Sequence, residues 1–289
     1  MLAGLTLAEL ARRIWQEIYT HNFLGRAAEL AYFFLLALFP MLIFLMSLIS
    51  FMPGVQQTLL FWLANLMPPD TRNIVDGWVK SVFNNRSGGL LSFGLIFSLW
   101  AASNGARALM AALNDAYEVR EWRPFWKSQV VAFGLTITLC SLVIGGALFI
   151  TFGEQVAAWI ANWLGLGDKF GIIWLGVRYT MGLVMLTFGI GLIYYVAPNV
   201  KQRWKWITPG TIFAVPTFVI ASYLFSLYLR FAPDYHATYG SLGAVIILML
   251  WLYLLGLILC VGGEINAEIH SAAGQQVVEK ERPEDHEAG

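Results

Sequence analysis

The chain has 289 residues, 58% hydrophobic and 12% charged, and its 18 basic and 18 acidic side chains give a formal net charge of zero. Soluble domains carry about twice that share of charge, so a hydrated shell cannot be drawn over this much apolar surface. A soluble enzyme is excluded on these figures, the charge balance argues against a nucleic-acid partner, and a bilayer is the implied solvent.

In chain order, residues 5–19 place Leu7, Leu10, Ala11, Ile14 and Ile18 on one helical face with Arg12 and Arg13 beside it. That pattern predicts an amphipathic helix on the inner leaflet, within an N-terminal cytoplasmic segment 1–28. The first apolar run starts near Leu30 and is too late and too long for a signal peptide. Six runs are long enough to cross about 30 Å of hydrocarbon at about 1.5 Å per residue. They cover residues 30–51, 89–112, 129–152, 172–196, 207–230 and 241–263. The expected fold is therefore all-α, a polytopic bundle of six transmembrane helices over 29–273 with short interfacial helices. An outer insert, 52–88, is divided by Pro68-Pro69; Asp70 is placed to cap its second half, where Ile74, Val75, Trp78, Val82 and Phe83 form a stripe. From Gly274 the chain turns polar and acidic, a composition that predicts disorder over 274–289.

Orientation follows from Lys and Arg. With the N-terminus inside, eleven of them fall inside, among them Arg26, Arg120 and Arg123, and five outside, with Arg107 and Arg178 within spans. Both termini are expected to be cytoplasmic. Trp122, Trp126, Trp159, Trp163, Trp174, Trp204 and Trp206 flank the runs as interface anchors. Pro40 and Pro216 fall inside spans and each removes a helix hydrogen bond. Gly182, Gly189, Gly191, Gly256, Gly262 and Gly263 predict close helix approach.

Polar groups inside spans are costly and mark a partner or a task. Glu29 opens the first span. Asn104, Arg107 and Asn114 share a face of the second, and Glu264 and Asn266 close the sixth. These six residues form the candidate intramembrane polar site. Arg107 is expected to pair with Glu264, or failing that Glu29; snorkelling to the inner headgroups is the alternative. His21, His236, His270 and His286 have no metal spacing, and Cys140 and Cys260 read as packed thiols. With no metal set, no cofactor fingerprint and no nucleophile elbow, neither an enzyme nor a cofactor is expected.

Four stretches carry a resemblance to a known family: AAELAYFFLLALFPMLIFL, SNGARALMAALNDAYEVREWRPFW, APNVKQRWKWITPGTIFA and YGSLGAVIILMLWLYLLGLILCVGGEINAE. In this order they resemble the YihY/BrkB membrane proteins over nearly the whole chain. The resemblance implies a bacterial inner-membrane protein of six helices. Members have carried a ribonuclease label and have been linked to serum resistance and to envelope lipid traffic. The expected function is transport or translocation of a lipid or amphipathic envelope component; the alternative is a membrane scaffold or assembly factor for the envelope. Membrane lipids are the expected partners, with no nucleic acid, and a homo-oligomer or an envelope partner is left open.

Overall fold

The structure, a computed structural model, describes residues 6–50, 88–164, 170–202, 204, 207–231 and 241–273. The outer insert and the polar tail lie outside the described residues. So do the side chains of Trp159, Trp163 and Trp206.

Seven helices are present among the described residues: α1 (Leu7–Thr20), α2 (Phe23–Ser50), α3 (Gly88–Ala116), α4 (Phe125–Leu164), α5 (Phe170–Val196), α6 (Pro209–Phe231) and α7 (Ser241–Ala272). Five contain stretches long and apolar enough to cross a membrane: Phe23–Met41, Phe125–Gly146, Trp174–Val196, Pro209–Leu229 and Gly243–Ala272. The remaining expected span, 89–112, coincides with α3. At 29 residues α3 has the length, but its serines, Asn104 and Arg107 make it less apolar, and it is not among the five. The fold is all-α and membrane-embedded, with five such spans among the described residues.

Local chemistry explains the helix starts. Thr6 and Glu9 form a reciprocal capping box at the head of α1, Glu9 donating its backbone N–H to the Thr6 hydroxyl at 3.3 Å and accepting the Thr6 N–H at 2.9 Å. Thr208 accepts the Thr211 N–H at 3.2 Å ahead of α6, whose first residue is Pro209, a ring preset for that position. Helices α2 and α6 run through Pro40 and Pro216. Helix α4 continues to Leu164, twelve residues past the expected end of its span, and α7 runs on past Glu264 to Ala272.

The chain divides into two compact units, one of Met1–Tyr32 with Ser103–Gly289, the other Phe33–Ala102. In the second unit α2 and α3 approach closely: a Cβ on Gly94 would lie 2.8 Å from the Phe44 backbone nitrogen. In the first unit α7 packs on α6 and α1, and α5 on α4 and α6. Small residues set these distances. A Cβ on Gly210 would strike the Gly262 carbonyl, one on Gly262 the Tyr194 hydroxyl, and one on Gly263 the Leu113 side chain. Gly182 meets nothing within 4 Å, so the expectation of close packing there is corrected.

Candidate functional site

The polar groups of the first unit gather where α1 and α2 meet the end of α3. Helix α1 closes at His21, and Asn22 takes a left-handed conformation (φ 51°) that asparagine tolerates well. Its Oδ1 accepts the Gly25 N–H at 3.3 Å, and α2 leaves at once with Phe23 fully buried. This turn faces Arg26 toward Asp115: Nε and Nη2 converge on Asp115 Oδ2 at 3.0 and 2.6 Å, while Nη1 reaches Glu29 at 3.2 Å. Helix α3 ends at a second left-handed residue, Glu118 (φ 53°), where the Val119 N–H returns to the Asn114 carbonyl at 3.0 Å. Between these two turns lies a cleft of about 590 Å³. One wall is Thr20, His21, Asn22, Gly25, Arg26 and Glu29; the other is Asp115, Glu118, Val119 and Arg120. The lining carries both signs of charge.

Behind the cleft sits Glu264, only 2% exposed although it belongs to an apolar helix. His21 connects the two. Its Nδ1 lies 3.2 Å from Glu264 Oε2 and its Nε2 3.7 Å from Glu17 Oε2. Arg13 bridges to Glu268 at 3.3 Å, so two polar contacts hold α1 against α7. Tyr117 stands nearby; burial first, and then the Glu264 carboxylate, push its phenol above the ordinary tyrosine range.

Asn114 and Asn266 are locks. Asn114 donates Nδ2 to Glu121 at 3.0 Å and accepts the Asn199 backbone N–H at 2.7 Å, tying α3 to the turns before α4 and after α5. Arg123 completes the tie: it reaches both Glu121 oxygens, at 2.7 and 2.9 Å, and the Ala197 carbonyl at 3.0 Å. Counted from sequence as an orientation charge, Arg123 is in fact buried. Asn266 accepts the Gly210 N–H at 2.7 Å and satisfies the head of α6.

Arg107 overturns the expected pairing. It makes no ion pair among the described residues; Nη1 donates to Gln129 Oε1 at 3.5 Å and the guanidinium lies 4.9 Å from the Phe125 ring centre. Glu264 has taken His21 and Glu29 has taken Arg26. The six sequence candidates therefore serve different places. Glu29 lines the cleft and Glu264 backs it through His21. Asn114 and Asn266 are structural, and Asn104 and Arg107 lie apart on α3. Sequence reasoning missed His21, Arg26, Asp115 and Glu118 as cleft residues. The available signals were Asn22, which breaks the apolar pattern between two helices, and the Arg26–Glu29 spacing of three.

The chain matches the sequence profile of the family described as virulence factor BrkB over residues 14–287. A Bacillus subtilis relative named as a ribonuclease-like protein, YfkH, is 37% identical over 259 residues, 90% of this chain and 94% of its own. UPF0761 membrane proteins from Tolumonas auensis and Pseudoalteromonas translucida are each 26% identical, covering 88% and 83% of this chain and 83% and 79% of theirs. No solved structure matches. The ribonuclease-like name corrects the expectation that the chain is not an enzyme: missing motifs excluded the common soluble enzymes, and a family with its own chemistry need not carry those motifs.

Proposed function

The chain belongs to the virulence factor BrkB family of membrane proteins, and from that premise we propose that it transports or translocates a lipid or amphipathic envelope component across the bacterial inner membrane. Both termini are cytoplasmic on this reading, which places the cleft at the inner face, where α1 lies along the leaflet with exposed Trp15 and Tyr19. The observation that carries the proposal is the cleft of about 590 Å³ walled by two arginines, three carboxylates and His21. A pocket with both signs of charge at the head of an apolar bundle suits a polar headgroup whose tails stay in lipid. The reading is tested by lipidomics of the protein extracted in native nanodiscs. Enrichment of one lipid class over bulk membrane, lost on Glu118→Arg, supports it; a bulk lipid profile that the substitution leaves unchanged favours the scaffold reading.

A second reading rests on the name of the Bacillus relative and on His21. An imidazole held between two carboxylates at a cleft wall has the geometry of a general acid–base group. RNA cleavage by the purified protein that disappears in His21→Ala supports this reading. Cleavage that survives the substitution belongs to a contaminant.

A further inference from the structure

Arg107 has a charge that no described residue answers with a carboxylate. Arginine offers five N–H donors, and the described residues supply one acceptor, Gln129 Oε1, at the long distance of 3.5 Å. Gln129 is itself held in place, since its Nε2 donates to the Ser103 hydroxyl at 2.8 Å. Its carbonyl therefore positions the guanidinium without neutralising it. The Phe125 ring takes a second side of the cation at 4.9 Å. The side chain of Asn104, one turn back on the same helical face, makes no hydrogen bond among the described residues, and both Asn104 and Arg107 are half-buried. A guanidinium and an amide thus share one face of α3, and most of their donors are taken by no described residue.

Depth identifies what meets them. Phe125 is the first residue of α4 and Gln129 lies one turn in, so Arg107 is level with the head of that helix. Trp126 there is 78% exposed, with Trp122 and Phe125 also exposed, as aromatic side chains are at the headgroup layer. We propose that Asn104 and Arg107, with Gln129 as positioning residue, bind the phosphate of an anionic membrane phospholipid. The planar fork of arginine matches two phosphate oxygens, and the asparagine N–H supplies a third donor. With no ion pair to Arg107 among the described residues, the site is net positive, which selects a headgroup without a balancing amine. Phe125 and Trp126 offer ring faces to the glycerol and upper acyl chain. This site is separate from the cleft and requires only that the chain be embedded in a bilayer, so it stands or falls independently of transport.

The test is native mass spectrometry of the full chain in a neutral detergent, titrated in parallel with phosphatidylglycerol, phosphatidylcholine, diacylglycerol and inorganic phosphate. The expected result is selective retention of phosphatidylglycerol, weakened roughly tenfold by Arg107→Gln, about one charge-assisted hydrogen bond. Arg107→Lys should recover part of the loss, since it restores the charge without the fork. Melting in lipid-free detergent checks the fold; should Arg107→Gln unfold, Asn104→Leu must weaken retention by itself. Equal retention of phosphatidylglycerol, phosphatidylcholine and diacylglycerol overturns the proposal. Wild-type retention in Arg107→Gln or in Asn104→Leu also overturns it, and displacement of the lipid by stoichiometric inorganic phosphate assigns the site to a soluble anion instead.

Discussion

Asn114 uses both ends of its amide at 3% exposure, and the two partners come from different parts of the chain. Replacing it with alanine leaves the buried Asn199 N–H without its acceptor, while the more exposed Glu121 carboxylate keeps Arg123. Asn114→Ala should lower stability by about 1–3 kcal/mol, the usual cost of orphaned buried groups, read as a lower melting temperature in detergent. Asn114→Asp keeps the acceptor for Asn199 but sets a carboxylate against Glu121, so it should be no better than alanine. Glu9 gives a pH-dependent prediction. The Thr6 backbone N–H, then the Thr6 hydroxyl, hold its carboxyl below the ordinary glutamate range. A depressed carboxyl stabilises the helix above its ordinary range, and the contribution fades as pH falls through the lowered value. The first turn of α1 should therefore fray on acidification in the wild type, with exchange protection corrected for intrinsic rates. Glu9→Gln should show the weaker protection already at neutral pH. Of these residues, sequence singled out Asn114 because an amide in an apolar run is conspicuous. It could not rank Asn114 as a lock and Glu29 as a cleft residue, because Asn199 lies 85 positions from Asn114, and Asp115, which fixes Glu29's partner Arg26, lies 89 positions from that arginine.

Helices α5, α6 and α7 meet through glycines, where close backbone approach replaces the hydrophobic drive that lipid removes. Gly210 is the tightest point, because a methyl there would meet the Gly262 carbonyl, a backbone atom with no rotamer to yield. Gly210→Ala should cost about 1–3 kcal/mol through overpacking, while Gly182→Ala, facing open space, should leave melting unchanged or raise it slightly. Equal effects at the two positions would contradict this account of the interface. Element positions were legible in sequence because long apolar runs are their own signal, and the amphipathic stripe of 5–19 became α1. Element ends were less so. Helix α7 continues through Glu264, Asn266 and Glu268, since His21, Gly210 and Arg13 take up their polar groups. No local pattern announces partners so distant in the chain. The pairing expected for Arg107 failed for a similar reason: depth alone was used to match it with Glu264, and depth does not say which way a helix face turns.

Between 11% and 33% of each apolar stretch is buried within the chain, so most of this apolar surface faces outward. Lipid is the solvent that accepts it. The excess of Lys and Arg on one set of loops predicts cytoplasmic termini, with residues 52–88 outside. Reporter fusions after residue 75 and at the C-terminus should report opposite sides of the membrane; the same side for both would break the six-span topology. Orientation also decides whether the cleft opens to the cytoplasm, where the substrate of an outward translocator is made. The most direct measurement of the central claim is movement of a headgroup-labelled phospholipid across proteoliposomes holding the purified chain. The account predicts faster movement than in protein-free vesicles, with Glu118→Arg slowing it while the protein still inserts and melts as wild type. Movement no faster than in empty vesicles, over a panel of anionic and zwitterionic headgroups, would contradict it.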